Sequence, residues 1–158
     1  MIIVGIGEYA ITKNPDEAII THALGSCVAF IVHCEKTKVT SLAHIVLPES
    51  RRTVERDLGD KKPAYCANIF VPRLLEFYLK ENRSLPHNLK ISLVGGSNSR
   101  NENDVFRVGA RNVEKINEIL ARFRLKPVKV DVGGNISRTV SVDVNDGNIN
   151  IRSRDMIL

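Results

Sequence analysis

The stretch from Thr21 to Pro48, THALGSCVAFIVHCEKTKVTSLAHIVLP, constrains this chain more than any other part of its sequence. It holds two runs of strand character, Cys27 to His33 and Val39 to Leu47, on either side of a short polar reversal. If the chain turns at Glu35-Lys36 in a two-residue hairpin, Cys34 pairs with Thr37 and, in the same register, Cys27 lies directly opposite His44. A four-residue loop, Glu35 to Lys38, instead sets His44 opposite Ala29 and leaves Cys27 diagonal to it. Both registers keep Cys27 and His44 on one face, because strand side chains alternate with period two; an odd loop would separate them. Directly opposed Cβ atoms stand about 4.5–5.5 Å apart, which lets a thiol and an imidazole approach hydrogen-bonding range.

Such a pair has a chemical use. A neighbouring imidazole can hold a thiol as thiolate and later return the proton to a leaving group. Leu24-Gly25-Ser26 leads into Cys27 as a small-residue approach, so the backbone N–H groups around Gly25 and Ser26 can stabilise an oxyanion at the carbon under attack. Thr21, six residues before Cys27, can orient the imidazole through its hydroxyl as the third member of a triad. The bland alternative is a small buried cysteine beside a satisfied histidine. His22 competes with His44 for the base role, while Cys34 and Cys66 read as filler at a turn and on a helix.

Elsewhere the pattern mixes strands and helices. Met1 to Ile6 is strand-like, and Ala64 to Lys80 reads as a helix in which Pro72 marks a kink or a start nearby. Leu89 to Val94 is a short buried strand ending at Gly95-Gly96. Ala110 to Phe123 is an amphipathic helix, with Asn112 as a capping or packing residue. Val128 to Val132, Thr139 to Val144 and Asn148 to Arg152 are strands, the last two joined at Asp146-Gly147, a type I′ hairpin signal. Gly95-Gly96-Ser97 and Gly133-Gly134-Asn135 are tight turns after strands. Strands at both ends with two helices between them predict an α+β fold, the helices packed on a largely antiparallel sheet. The 158 residues fit one domain, 1–158, with one core.

Composition narrows the function. Lys and Arg total 23 against 18 Asp and Glu, a net charge of +5 and a pI near 9.3, which favours acidic partners. The basic residues are dispersed and aromatics are only 5%, with no stacking platform, so nucleic acid is not expected. The longest apolar run near the start is too short to span a bilayer and no signal peptide is visible, so the expected location is cytoplasmic with thiols kept reduced. No metal-ligand spacing is present and no cofactor is expected. The charged loop Pro48 to Pro63 leaves the strand of His44 four residues past it. Arg51 and Arg52 on that loop are therefore candidate substrate-binding residues.

Taken in order, Gly5-Ile-Gly-Glu-Tyr9, Thr21-His-Ala-Leu-Gly-Ser-Cys27-Val28, Ala43-His44, Leu47-Pro48, Gly95-Gly96-Ser97, Gly109-Ala-Arg-Asn112 and Gly133-Gly-Asn135 resemble the CheD family of chemoreceptor glutamine deamidases. The resemblance implies a β-sandwich with two flanking helices, similar to a toxin-type cysteine deamidase domain. It implies Cys27 as nucleophile, His44 as base and Thr21 as third member, converting glutamines of methyl-accepting chemotaxis receptors to glutamate with release of ammonia. It also implies pairing with a CheC-type phosphatase, and a non-catalytic docking module is the alternative reading. Two features depart from the family pattern: Tyr65 is followed by Cys66 and Ala67 without the usual Asp, and the segment after Gly96, from Ser97 to Asp104, is longer and more polar.

Overall fold

The computed structural model describes residues 1–50, 62–98 and 106–156. Five strands come first: β1 (Ile2–Ile3), β2 (Tyr9–Thr12), β3 (Ala18–Leu24), β4 (Val28–Cys34) and β5 (Thr40–Ile45). Helix α1 (Ala67–Glu76) runs on into a wider π turn, Phe77–Glu81, and β6 (Leu89–Gly95) follows. The chain closes with α2 (Val108–Arg122), β7 (Lys129–Val132), β8 (Ile136–Asp143) and β9 (Ile149–Asp155). The fold is α+β, with two sheets among the described residues, one ordered β1-β3-β8-β9 and the other β2-β5-β4-β6-β7. Pairing is antiparallel except between β1 and β3 and between β6 and β7.

The apolar runs of the central hairpin are continuous because β4 and β5 are buried along their whole length. One face of their sheet, with Ala29, Ile31, Leu42 and Val94, packs against Ile19, Leu24, Val140 and Val142 of the other sheet. The opposite face, with Phe30, Val32, Ala43 and Leu93, packs under Phe70, Val71, Leu75, Ile116 and Ile119 of the two helices. The layers are therefore sheet, sheet and helices. A strand covered on both sides has no use for polar alternation.

Between the two registers left open by the sequence, the four-residue loop is the one formed. Ala29 pairs with His44 and Val28 with Ile45. Cys34 N–H donates to Val39 C=O and Lys38 N–H to Cys34 C=O, and Lys38 takes the left-handed conformation (φ 67°). The β8–β9 turn is built the same way, which corrects the type I′ expectation. Gly147 N–H donates to Asp143 C=O, and Gly147 takes a left-handed φ of 75°. Asp146 does not take positive φ, as a type I′ turn requires at both central residues.

Pro72 neither starts nor ends α1. It removes one backbone donor, but the buried face of Phe70, Val71, Leu74 and Leu75 holds the helix on the sheet. Of the two roles expected of Asn112, packing is the one it takes. Arg107 occupies the N-cap position of α2, which places Asn112 inside the helix and fully buried.

Candidate active site

β3 and β5 belong to different sheets, and a hydrogen bond between Thr21 and His44 joins them. Thr21 Oγ1–H donates to the Val4 carbonyl at 2.7 Å, and the same oxygen lies 2.7 Å from His44 Nδ1. With its proton committed to Val4, the hydroxyl can only accept from the ring, so Nδ1 carries the hydrogen and Nε2 keeps its lone pair. Both side chains are buried. The main chain of His44 is held as firmly: its N–H donates to Glu8 C=O and its C=O accepts from Gly7 N–H, both at 3.0 Å.

Cys27 stands one residue before β4. Because Ala29 pairs with His44, Cys27 is diagonal to His44 and on the same face, the one turned toward the other sheet. Its approach is pinned through carbonyls. Gly25 C=O accepts from Ser97 N–H at 2.9 Å, Cys27 C=O from Gly96 N–H at 2.8 Å, and Ser26 C=O from Asn112 Nδ2 at 3.0 Å. The N–H groups of Ser26 and Cys27 find no acceptor among the described residues. Gly95 and Gly96 make this close approach possible at positive φ, and a Cβ on Gly95 would strike the Cys27 carbonyl. Ser26 is exposed and Cys27 partly so, whereas Cys34 and Cys66 are buried.

Electrostatics set the resting protonation of the pair. Burial pushes the Cys27 thiol from 9.0 up to about 11 and the His44 imidazole from 6.5 down to about 4. Burial disfavours both charged forms, so the pair rests as thiol and neutral imidazole. This differs from the standing thiolate that the sequence suggested. Any use of Cys27 as a nucleophile therefore requires its proton to leave as the sulfur attacks.

His22, the competing imidazole, is exposed and lines the outer face of its sheet with Ile20, Ser137 and Thr139, opposite to the face carrying Thr21. Arg51, Arg52 and the rest of 51–61 lie outside the described residues, as does 99–105 within the polar segment after Gly96. Two parts of the site were not recognised in the sequence. The Val4 carbonyl carries no side-chain signal. Asn112 lay in a noted motif, Gly-Ala-Arg-Asn, but its reach to Ser26 spans 86 positions.

Fold and site together define a two-sheet α+β domain with a cysteine, a histidine and a threonine gathered where the sheets meet. The chain belongs to the CheD family: the description "CheD chemotactic sensory transduction" matches residues 46–153. The "Probable chemoreceptor glutamine deamidase CheD" of Syntrophotalea carbinolica is 36% identical over 151 residues, 95% of this chain and 92% of that relative. The "Chemoreceptor glutamine deamidase CheD" of Thermotoga maritima is 36% identical over 150 residues, 95% and 90% of the two chains. A relative in Methanococcus vannielii is 34% identical over 150 residues, 94% of this chain and 92% of its own. The family match begins beyond His44 and does not include Thr21, Cys27 or His44. Among the described residues no helix is long and apolar enough to cross a membrane.

Proposed function

We propose that this chain deamidates glutamine side chains of chemoreceptors, with Cys27 as nucleophile, His44 as general base and acid, and Thr21 orienting the imidazole. The observation that carries the reading is the 2.7 Å Thr21–His44 contact, whose proton bookkeeping leaves His44 Nε2 unprotonated on the face that Cys27 shares. The relatives' names supply the substrate class.

Cys27 Sγ attacks the carboxamide carbon while His44 Nε2 takes the thiol proton, and the oxyanion is met by the backbone N–H groups of Gly25 and Ser26, with that of Cys27 beside them. The imidazolium then gives its proton to the departing nitrogen, and ammonia leaves a thioester on Cys27. His44 takes a proton from water, hydroxide equivalent adds to the thioester, and glutamate departs as the thiol is restored. The carbonyl-side tethers of Gly25, Ser26 and Cys27 leave these N–H groups free for the oxyanion. Arg51 and Arg52 are assigned to gripping the receptor through its acidic groups, in keeping with the net charge of +5.

A docking module, acting on receptors or on a CheC-type phosphatase, accounts equally well for a thiol that is protonated at rest. Slow alkylation at neutral pH therefore does not separate the readings, and ammonia release does. The full chain mixed with a receptor cytoplasmic fragment releases one ammonia per glutamine converted, with a gain of about one dalton on the fragment. Because His44 works as a neutral base and burial holds it near 4, kcat/KM stays high as pH falls below 6.5 and drops only toward pH 4. No ammonia at any pH defeats the deamidase reading; an acid limb at 6.5 defeats the buried neutral base.

A further inference from the structure

We infer that Asn112 is a positioning residue that sets the nucleophile's loop against the strand of the base, an inference that rests on the deamidase reading above. Its side-chain Nδ2 donates to the Ser26 carbonyl and to the Val46 carbonyl, 3.0 Å each. Ser26 immediately precedes Cys27, and Val46 follows His44 by two residues, just past the end of β5. One amide group therefore ties together the two segments that carry the thiol and the imidazole. Both partners are acceptors, so the amide can face them only through its NH2, and Oδ1 is left buried with no donor among the described residues. Leaving a buried carbonyl unpaired is unfavourable. The orientation persists because the two carbonyls beside the site demand donors.

The support behind Asn112 is rigid. A Cβ on Gly109, one helical turn earlier, would overlap the carbonyl oxygens of Gly96 and Ser97. Those two residues supply the N–H groups that hold the Cys27 and Gly25 carbonyls. Helix α2 thus reaches the nucleophile's loop by two routes, through Gly96 and Ser97 where Gly109 packs and directly through the Asn112 hydrogen bond to Ser26. Asn112 touches no reacting atom in this arrangement. It acts through the Ser26–Cys27 peptide, whose plane fixes where the Cys27 N–H and Sγ point.

The test uses the full chain carrying Asn112→Ala. On the receptor fragment kcat falls about 10- to 100-fold with KM within about twofold, the size of loss that a small misplacement of reacting groups produces. Without substrate, the rate of Cys27 alkylation by iodoacetamide at fixed pH changes at least about fivefold, because the thiol's seat has moved. A folded variant that keeps both rates, or whose loss is confined to KM, overturns the inference. If the variant does not fold, wild-type NMR decides. The Asn112 side-chain amide protons must exchange slowly with solvent and shift when Cys27 is alkylated; free exchange, or no shift, overturns it. The alkylation and NMR readouts need no deamidation, so a wild-type chain that releases no ammonia counts against the deamidase reading alone.

Discussion

Cys27→Ala lowers ammonia release by at least about 10⁴-fold in kcat, the scale of loss when a covalent nucleophile is removed from an otherwise intact site. The fold survives the change. Cys27 is tethered through its carbonyl to Gly96 N–H rather than through its sulfur, and the side chain is only partly buried. Circular dichroism melting of the variant stays within a few degrees of wild type. Neither remaining thiol can substitute. Cys34 packs on the opposite face, toward the helices, where Ser84 Oγ lies 3.5 Å from its sulfur. Cys66 is buried at the start of α1. Residual turnover near wild type in Cys27→Ala removes the thioester route altogether.

His44→Ala is expected to lower kcat by about 10³-fold, since in the proposed mechanism the same ring takes the thiol proton, protonates the leaving nitrogen and activates water. The variant also carries a stability signature of opposite sense. In the wild-type chain the imidazole is held near 4 when folded, against 6.5 when free. As pH falls below 6.5 the unfolded chain takes up a proton that the folded chain refuses, so stability present above 6.5 is lost progressively toward pH 4. Removing the ring removes that share of acid sensitivity, although the cavity lowers stability at neutral pH. Burial lowers the His33 imidazole as well, so part of the acid loss remains in the variant. Urea midpoints at pH 7 and pH 4.5 check this: the drop between them is smaller in His44→Ala. An equal or larger drop means that His44 is charged in the fold.

Much of this was legible in the sequence where local chemistry decides the structure. The amphipathic spacing of Val113, Ile116 and Leu120 located α2 to within about two residues at either end, and the central strands were found because β-branched and aromatic residues crowd them. The face shared by Cys27 and His44 followed from strand alternation alone, whichever even-numbered loop formed. The choice of loop did not follow. Glu35 to Lys38 is polar throughout, and the selection turns on Lys38 adopting left-handed φ, which lysine's side chain does not announce. β3 went unrecognised because it is irregular: its register against β8 shifts between Thr21 and Leu24, and Ala23 takes a φ of 54°.

The rest of the site was hidden for a physical reason. A triad member chosen by its own side chain, such as Thr21, can be proposed from residue type. The acceptor that decides its proton, the Val4 carbonyl, is backbone and looks the same at every position. Asn112 illustrates the same limit from the other side. An asparagine near a helix start has a good local use as a cap, and only the packed fold shows it 86 and 66 positions away from the carbonyls it serves.

The central claim, covalent deamidation through Cys27, is tested most directly by quenching the wild-type chain and receptor fragment in acid during the first turnover and weighing the products. The expected adduct on Cys27 has the mass of the substrate less ammonia and is discharged by hydroxylamine, while Cys27→Ala gives neither adduct nor ammonia. A receptor fragment that gains its dalton with no adduct on Cys27, at the same rate in wild type and Cys27→Ala, contradicts the account.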